Sequence, residues 1–282
     1  MRAPIVAQAD PAPDVVPFEF KRGRIMVPVR VNDSEPLSFL LDTGYTLMMI
    51  NPEHARALEL KRVGHITVAG IAGEEKADLF QGTQLKLGNV TFTPRRLAAL
   101  PSDERNRKRD GVLGHGLFKQ FVVEIDFKKS QLKLHDPQAF KYAGTGERLP
   151  LSFNHTTTPL IDARLVRQDG REIKGRFELD TGCTGTMCIG HDFVEANELL
   201  EPEQKTRDSS RGGVGGGVST RVGRLKELRF GSKTVAHPEA NFFLEGSPVD
   251  HGLAGHIGIQ ALRRFRVFLD YSRKEMILEP RD

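Results

Sequence analysis

The sequence predicts an all-β fold with a few short helices, built from two homologous β lobes. Two observations support this prediction: a strand-like segment that occurs once in each half, and a composition rich in turn-forming residues. The chain has 282 residues, among them 28 glycines and 16 prolines, which suits many short strands joined by turns. This length also allows two domains that each bury a core.

The repeated segment is an apolar run that ends in Asp-Thr-Gly. It occurs at residues 39–44 and again at residues 176–182, so that Asp42 and Asp180 lie 138 residues apart. One such triplet carries little information. Because burial of an unpaired charge is unfavourable, two aspartates that end apolar runs at half-chain spacing indicate a shared role.

The repeat extends beyond the triplets. In each half a predicted hairpin, at residues 25–42 and 160–180, delivers the aspartate on its second strand. A second motif, Gly-Val-Leu-Gly at 111–114 and Gly-His-Ile-Gly at 255–258, recurs at a constant offset of 144 residues. Self-similarity of this kind predicts one structural unit that was duplicated and fused.

Periodicity and turn residues predict the remaining elements in chain order. Asn51 and Pro52 are typical of an N-cap and a first helical position. In the first half we expect strands at 18–31, 37–42, 46–50, 122–127 and 132–134, a helix at 53–60 and a helical turn at 116–121. In the second half we expect a strand at 186–189, a helix at 192–200 and a last strand at 276–279.

These elements divide the chain into four parts. Residues 1–17, rich in Ala, Pro and Asp, are predicted to be a flexible tail, and residues 18–135 to be the N-terminal β lobe. The segment 136–147 contains Pro137, Gly144 and Gly146 and is the predicted linker. Residues 148–282 are the predicted C-terminal β lobe.

Composition excludes several classes of function. The net charge is only +4, and no basic stripe interleaved with aromatic residues indicates nucleic-acid binding. The basic run at 105–109 is interpreted as a solvated loop. No apolar run of about 18 residues predicts a membrane span. Ala7-Gln8-Ala9 resembles the end of a secretory signal, and together with the few thiols it favours a periplasmic or secreted protein, which we expect to be a monomer.

The cysteines and histidines do not predict a site. Cys183 and Cys188 are interpreted as free thiols, and on a regular strand their odd spacing would place them on opposite faces. Cys183 is not favoured as a nucleophile, because no histidine is near it in sequence and its counterpart is Tyr45. His251 and His256 lack a third ligand at convincing spacing. We therefore predict neither a metal nor a cofactor.

The paired aspartates do predict chemistry. If the two halves pack about an approximate twofold axis, Asp42 and Asp180 meet side by side. Two adjoining carboxyls share one proton, so that one can activate a water molecule while the other polarises a carbonyl. Gly44 and Gly182 would allow backbone N–H groups to approach the carboxyls, and Thr43 and Thr181 would bond to the backbone across the lobe boundary.

These motifs resemble the pepsin/retropepsin class of aspartic proteases, in the single-chain two-domain form and especially its bacterial members. The resemblance rests on apolar-Asp-Thr-Gly at 41–44 and 179–182 and on the apolar-apolar-Gly element at 112–114 and 256–258. It covers roughly residues 20–280. It implies a bilobal pepsin-like fold with the active site in a central cleft, and a substrate bound as an extended peptide strand.

The resemblance also implies two flaps that close on the peptide, at residues 70–73 and 212–217. Glycine-rich tips can supply strand-like hydrogen bonds to a peptide. A phosphate-binding interpretation is not favoured, because no Lys-Ser/Thr follows the glycines. The candidate flap residues are Gly70, Ile71, Gly73, Gly213, Val214 and Gly215.

Three positions depart from the pattern of that family. Tyr45 and Cys183 follow the triplets, where pepsin-like enzymes usually carry Ser or Thr, and His256 replaces an apolar residue. The first flap also lacks the tyrosine common in pepsin-like enzymes. The lack of this tyrosine resembles the retropepsin arrangement, which has two short flaps, and Tyr45 and Cys183 argue against a strongly acidic pH optimum.

Three functional hypotheses remain at this point. The first is an aspartic endopeptidase that uses Asp42 and Asp180. The second is a non-catalytic peptide-binding or scaffold module on the same fold, and the third is a glycosidase, which also uses paired carboxylates. Asp126 and Asp270, which recur as well, are interpreted as structural residues that bind local backbone N–H groups.

Overall fold

A computed structural model describes residues 13–70, 73–100, 109–153, 157–201, 203–213, 216–249 and 252–281. Its first half contains eleven strands before the second helix, and two strands after it. The elements are β1 (Asp14–Pro17), β2 (Glu19–Lys21), β3 (Arg24–Val31), β4 (Leu37–Leu41), β5 (Met48–Ile50), α1 (Pro52–Ala57), β6 (Arg62–Gly70), β7 (Gly73–Phe80), β8 (Leu85–Leu87), β9 (Val90–Phe92), β10 (Leu97–Ala99), β11 (Gly111–Leu113), α2 (His115–Gln120), β12 (Val122–Asp126) and β13 (Gln131–His135).

The second half repeats this series of elements. They are β14 (Glu147–Pro150), β15 (Ser152–Phe153), β16 (Pro159–Val166), β17 (Glu172–Asp180), β18 (Met187–Ile189), α3 (His191–Ala196), β19 (Arg207–Gly213), β20 (Gly216–Arg224), β21 (Glu227–Phe230), β22 (Lys233–Ala236), β23 (Glu239–Phe243), β24 (Gly255–Gly258), α4 (Ile259–Leu262), β25 (Phe265–Asp270) and β26 (Glu275–Pro280).

Two sheets with the same topology form the lobes. The N lobe has the strand order β6-β7-β10-β5-β11-β4-β3-β8-β9, with β2 on β3, and the C lobe has β19-β20-β23-β18-β24-β17-β16-β21-β22, with β15 on β16. Each strand of one lobe thus has an equivalent in the other. The predicted duplication and the all-β, two-lobed fold are confirmed.

A third sheet joins the lobes. Its order is β1-β13-β12-β25-β26-β14, and its central pair, β12 and β25, takes one strand from each half of the chain. Glu124 is buried in this interlobe sheet, where it accepts bonds from Lys133, His135 and Arg266 at 2.8 Å. The lobes are therefore held together by backbone pairing and by a buried ionic cluster.

The hairpins that deliver the aspartates are present as predicted. β3 pairs antiparallel with β4, and β16 with β17. On the other side β4 pairs parallel with β11, and β17 with β24. Because both strands are central in their sheets and largely buried, the carboxyl-terminal ends of β4 and β17 are fixed in position.

Some predicted boundaries were wrong. The strand expected at 18–31 is split by a two-residue turn at Arg22 and Gly23, which both have positive φ, as tight hairpin turns require. The tail expected to reach residue 17 ends earlier, because Val16 is buried and β1 pairs with β13. The predicted helices exist but are shorter, and Asn51 caps α1 through Glu53 N–H at 2.8 Å.

The structural interpretation of the second aspartate pair is confirmed. Asp126 Oδ1 accepts the backbone N–H groups of Lys128 and Lys129 at 3.0 Å. Asp270 Oδ1 accepts Arg273 N–H at 3.0 Å. Within the described residues, none of the helices has the length and apolarity needed to cross a membrane.

Candidate active site

The two Asp-Thr-Gly segments meet where the lobes face each other. Asp42 follows β4 and Asp180 ends β17, and their residues are 5% and 9% exposed. The Asp42 carboxyl group lies against Gly182 and the Asp180 carboxyl group lies against Gly44, and the two acids interact electrostatically. Two acids that are 138 residues apart in sequence therefore form one buried pair.

The glycines of the triplets make this approach possible. A Cβ atom at Gly44 would lie 3.0 Å from Asp180 Oδ1, and one at Gly182 would overlap the Asp42 carboxyl group. Each glycine thus faces the aspartate of the opposite lobe. The two backbone N–H groups instead point at the acid of their own triplet, at 2.9 Å to Asp42 Oδ1 and 2.8 Å to Asp180 Oδ1.

The threonines form a reciprocal set of bonds across the lobe boundary. The Thr43 hydroxyl donates to the Leu179 carbonyl at 2.6 Å, and the Thr181 hydroxyl donates to the Leu41 carbonyl at 2.9 Å. Each hydroxyl oxygen also accepts the backbone N–H of the other threonine, at 3.1 and 3.0 Å. Both side chains are buried, so the set fixes the register of the two loops.

The environment of Asp42 favours its protonated form. Burial raises its pKa well above the usual range, and the charge and close approach of Asp180 raise it further. The Arg109 guanidinium and the Gly44 N–H oppose this rise in pKa but do not cancel it. A carboxyl group in this setting retains a proton to a higher pH than an exposed one.

Asp180 receives more donors than Asp42. Its Oδ1 accepts the N–H groups of Gly182 and Cys183, at 2.8 and 3.0 Å. Its Oδ2 lies 3.1 Å from His256 Nδ1. The pair is therefore asymmetric: within the described residues, the side-chain cation closest to Asp180 is a histidine, whereas Asp42 has a more distant arginine.

The prediction did not include His256 or Glu178 in the site. The second imidazole nitrogen, Nε2, lies 3.2 Å from Glu178 Oε2. Burial lowers the pKa of His256, but Asp180, Cys183 and Glu178 together raise it well above its ordinary value. The imidazole thus lies between two acids that favour its charged form. The histidine in place of an apolar residue in the second Gly-x-x-Gly motif was the sequence signal for it.

The two cysteines also lie at the site, and both are free thiols, as the sequence predicted. Their Sγ atoms are 3.4 Å apart, although they were expected on opposite faces of a strand. Cys183 precedes β18 in a turn, so the alternation of strand side chains does not apply to it. The neighbouring Cys188 thiol and burial raise the pKa of Cys183, while its bond to His256 lowers it. Although no histidine is near Cys183 in sequence, His256 of β24 lies within 4.8 Å of its Sγ atom.

The last residue of the basic run is not a solvated loop residue. Arg109 donates to the Tyr45 hydroxyl at 3.2 Å, and its guanidinium lies over the Tyr45 ring, 5.5 Å from the centroid. The positive charge of Arg109 interacts with the Asp42 carboxyl group, and so does that of Arg24. Residues 105–108 lie outside the described residues. The N-lobe side of the site is therefore positively charged.

The two glycine-tipped hairpins are confirmed as secondary structure. β6 and β7 pair up to Gly70 and Gly73, and β19 and β20 pair up to Gly213 and Gly216. Of the predicted flap residues, Ile71, Val214 and Gly215 lie outside the described part of the chain. Near the second tip, Arg211 donates to Asn241 at 2.8 Å.

Comparison with known proteins agrees with this architecture. The profile of the aspartyl protease family matches residues 27–116 and 165–259, one segment in each half. The structure is similar to the crystal structure of an aspartic proteinase from Irpex lacteus, with a TM-score of 0.63 and 16% identity over 95% of this chain and 97% of that one. No curated protein sequence matches significantly. The chain belongs to the aspartyl protease family and has the pepsin-like two-lobed fold.

Proposed function

We propose that the protein is an aspartic endopeptidase that hydrolyses peptide bonds by means of a water molecule activated between Asp42 and Asp180. The observation that supports this proposal best is the juxtaposition of two buried carboxyl groups at the junction of the two Asp-Thr-Gly loops. Such a pair needs no covalent intermediate, because it combines a base and an acid in one site.

The surroundings of the pair support a different role for each acid. Asp42 has the raised pKa and holds the shared proton, so it donates a hydrogen bond to the substrate carbonyl. Asp180 is the base that takes a proton from the attacking water. Its position next to three donors, Gly182 N–H, Cys183 N–H and His256, suits the charged member of the pair. The proton held by Asp42 then passes towards the leaving amine.

The substrate that suits this site is an extended peptide. The β6–β7 and β19–β20 hairpins stand at equivalent positions in the two lobes, and each is the edge of its sheet. A peptide strand can bond to such an edge through its main chain. The arginines near the site, Arg24, Arg109 and Arg211, would favour acidic side chains on the peptide.

Replacement of either aspartate tests the proposal. We expect Asp42→Asn and Asp180→Asn each to reduce the hydrolysis of a peptide library at pH 4–7 by at least about 1,000-fold, because each removes one half of the acid–base pair. Asp162→Asn, at an exposed position, is the matched control and should retain full activity. Cleavage products can be measured by mass spectrometry.

The same variants separate an enzyme from a binding module. If turnover by either asparagine variant equals that of the natural protein, the proposed function is wrong. In a peptide-binding module, substitution of Asp42 would relieve the burial of adjoining acids without the loss of any activity. A protein that binds library peptides but releases them intact would support that second function.

A further inference from the structure

A polar row crosses the C-lobe sheet at a place where the N-lobe sheet is apolar. Residues in register on neighbouring strands share one face of a sheet. In the C lobe, β17, β24, β18 and β23 place four such residues side by side: Glu178, His256, Cys188 and Asn241. The equivalent N-lobe strands β4, β11, β5 and β10 place four apolar residues there: Leu40, Val112, Met49 and Ala98.

The N lobe shows that this fold can fill the equivalent row with apolar side chains alone. Its four residues belong to one buried hydrophobic cluster. Glu178, Cys188 and Asn241 of the polar row are also buried. Because burial of polar and charged groups lowers stability unless they are bonded or coordinated, the polar row indicates a role that packing does not explain.

Three of the possible metal ligands in this region converge on one point. A carboxylate oxygen of Asp180, the Sγ atom of Cys183 and an imidazole nitrogen of His256 all lie within 4.8 Å of one another. Tetrahedral zinc, with bonds of about 2.0–2.3 Å, separates neighbouring ligand atoms by roughly 3.3–3.8 Å. The 3.1 Å between His256 Nδ1 and Asp180 Oδ2 needs only a small adjustment to fit.

The outer surroundings are also those of a metal site. A histidine ligand is normally oriented by a carboxylate that accepts its other N–H group, and Glu178 is 3.2 Å from His256 Nε2. Cys188 Sγ, 3.4 Å from Cys183 Sγ, is next to the three donors. A mixed thiolate, imidazole and carboxylate set suits Zn²⁺ better than Mg²⁺ or Ca²⁺.

We propose that Asp180, Cys183 and His256 form a binding site for Zn²⁺ or a chemically similar divalent cation, with Glu178 as the residue that orients His256. The cation takes the place of the proton between His256 Nδ1 and Asp180 Oδ2, and of the proton on the Cys183 thiol. The cation therefore binds Oδ2 of Asp180, whereas Oδ1 keeps the N–H groups of Gly182 and Cys183.

This site would make proteolysis sensitive to the cation. In the proposed function Asp180 is the base, and a carboxylate bound to Zn²⁺ is a poor base. The predicted inhibition therefore rests on the proposed function. Binding of the cation does not, because it depends only on the three ligands and can be measured without any substrate.

Binding is tested on the full-length, metal-free protein. Zn²⁺ is titrated in competition with a chromophoric chelator, and Co²⁺ is titrated as an optical probe of thiolate ligation and tetrahedral geometry. We expect one equivalent of Zn²⁺ to bind, and Co²⁺ to show a thiolate charge-transfer band. Absence of stoichiometric Zn²⁺ binding, or Co²⁺ binding without that band, would overturn the proposal.

Variants locate the site. His256→Val introduces the residue of the equivalent N-lobe position, and Cys183→Ser keeps the size of the side chain; each should weaken Zn²⁺ binding at least about 100-fold, and Glu178→Gln about 10- to 100-fold. Asn241→Ala, in the same row but outside the ligand set, is the matched control and should bind normally. Asp180→Asn provides a further ligand variant of nearly unchanged shape, should His256→Val fail to fold.

The pattern among variants decides the outcome. If His256→Val and Cys183→Ser bind Zn²⁺ as tightly as the natural protein does, the proposed site is wrong. So would loss of binding in Cys188→Ala with retention in His256→Val, because this would place the ion at the cysteine pair instead. Zn²⁺ binding without any peptidase activity in the metal-free protein would refute the proposed function and leave the site intact. Activity that Zn²⁺ inhibits and a chelator restores would support both.

Discussion

At the scale of single residues, the site depends on two glycines that allow carboxyl groups from different lobes to touch. Gly182 lies against the Asp42 carboxyl so closely that a Cβ atom would overlap it. Its own N–H group at the same time donates to Asp180. The residue therefore affects both acids, one by its absent side chain and the other by its backbone.

Substitution of Gly182 by alanine should separate the pair. Because the methyl group would displace the Asp42 carboxyl, and a shift of about 1 Å at a reacting group can cost about 100-fold in rate, we expect kcat to fall at least about 100-fold. Gly185→Ala is the matched control, since its Cβ atom would meet neighbours at an ordinary 3.5 Å. Peptide hydrolysis by the two variants should differ; equal activity would contradict this role of Gly182.

The threonine pair supports a prediction about stability. Thr181→Val removes a buried hydroxyl that donates to Leu41 and accepts from Thr43, and it leaves both backbone groups unsatisfied. We expect the free energy of unfolding to fall by about 1–3 kcal/mol. Denaturant unfolding monitored by circular dichroism measures the change.

Thr220→Val is the control for that substitution. Thr220 is also a buried threonine, but its hydroxyl has no hydrogen-bond partner among the described residues. Valine of the same shape should therefore leave stability unchanged or raise it slightly. A similar loss of stability in both variants would show that the cross-lobe bonds of Thr181 are not what matters.

At the scale of elements, the interlobe sheet makes stability depend on pH. Burial raises the pKa of Glu124, but bonds from His135, Lys133 and Arg266 outweigh it and lower the pKa from 4.5 to about 2. His135 and Lys133 are on β13 of the first half, whereas Arg266 is on β25 of the second. The ionised glutamate thus links the halves as well as neighbouring strands.

Because the pKa is lower in the folded state, this stabilisation is present above about pH 4.5 and is lost as the pH falls towards 2. We expect Glu124→Gln to lower the free energy of unfolding by about 3 kcal/mol at pH 7, and by progressively less between pH 4.5 and pH 2. Asp162→Asn, which breaks an exposed ion pair, should change it by less than about 1 kcal/mol. A pH-independent effect of Glu124→Gln would contradict this explanation.

At the scale of the whole molecule, two copies of one sheet have kept the same topology and diverged in chemistry. The N lobe presents Arg109, Tyr45 and an apolar row near the pair of acids, whereas the C lobe presents the polar row and two thiols. Strand order and the Asp-Thr-Gly turns are shared because they determine the fold and the meeting of the carboxyls. The divergent positions lie beside the pair, where they affect its charge without altering the sheets.

The two-lobed arrangement predicts how a substrate is held. A peptide analogue in which a hydroxyl-bearing carbon replaces the scissile amide should bind between the lobes and bond to both hairpin tips. We expect hydrogen exchange to slow in both β6–β7 and β19–β20, because each hairpin gains main-chain partners. Peptide-level mass spectrometry measures this exchange, and protection of one hairpin alone would argue against binding by two flaps.

The sequence predicted much of this protein because its strongest signal is repetition. Two Asp-Thr-Gly turns at the ends of apolar runs predicted the duplicated sheets and the pair of acids. Two glycine-rich stretches predicted the hairpin tips. Boundaries were less certain, as at Arg22 and Gly23, because a tight turn inside an apolar stretch leaves the strand pattern on both sides unchanged.

What the sequence alone determined is the architecture: two equivalent β lobes, each ending a buried strand in an aspartate. Only the tertiary structure decided what surrounds those acids. Glu178, His256 and Cys188 come from strands that are distant in the chain, and they become neighbours through the register of β17, β24 and β18. Local periodicity reports which face of a strand is buried, but which distant side chains share that face depends on the strand order and register of the folded sheet.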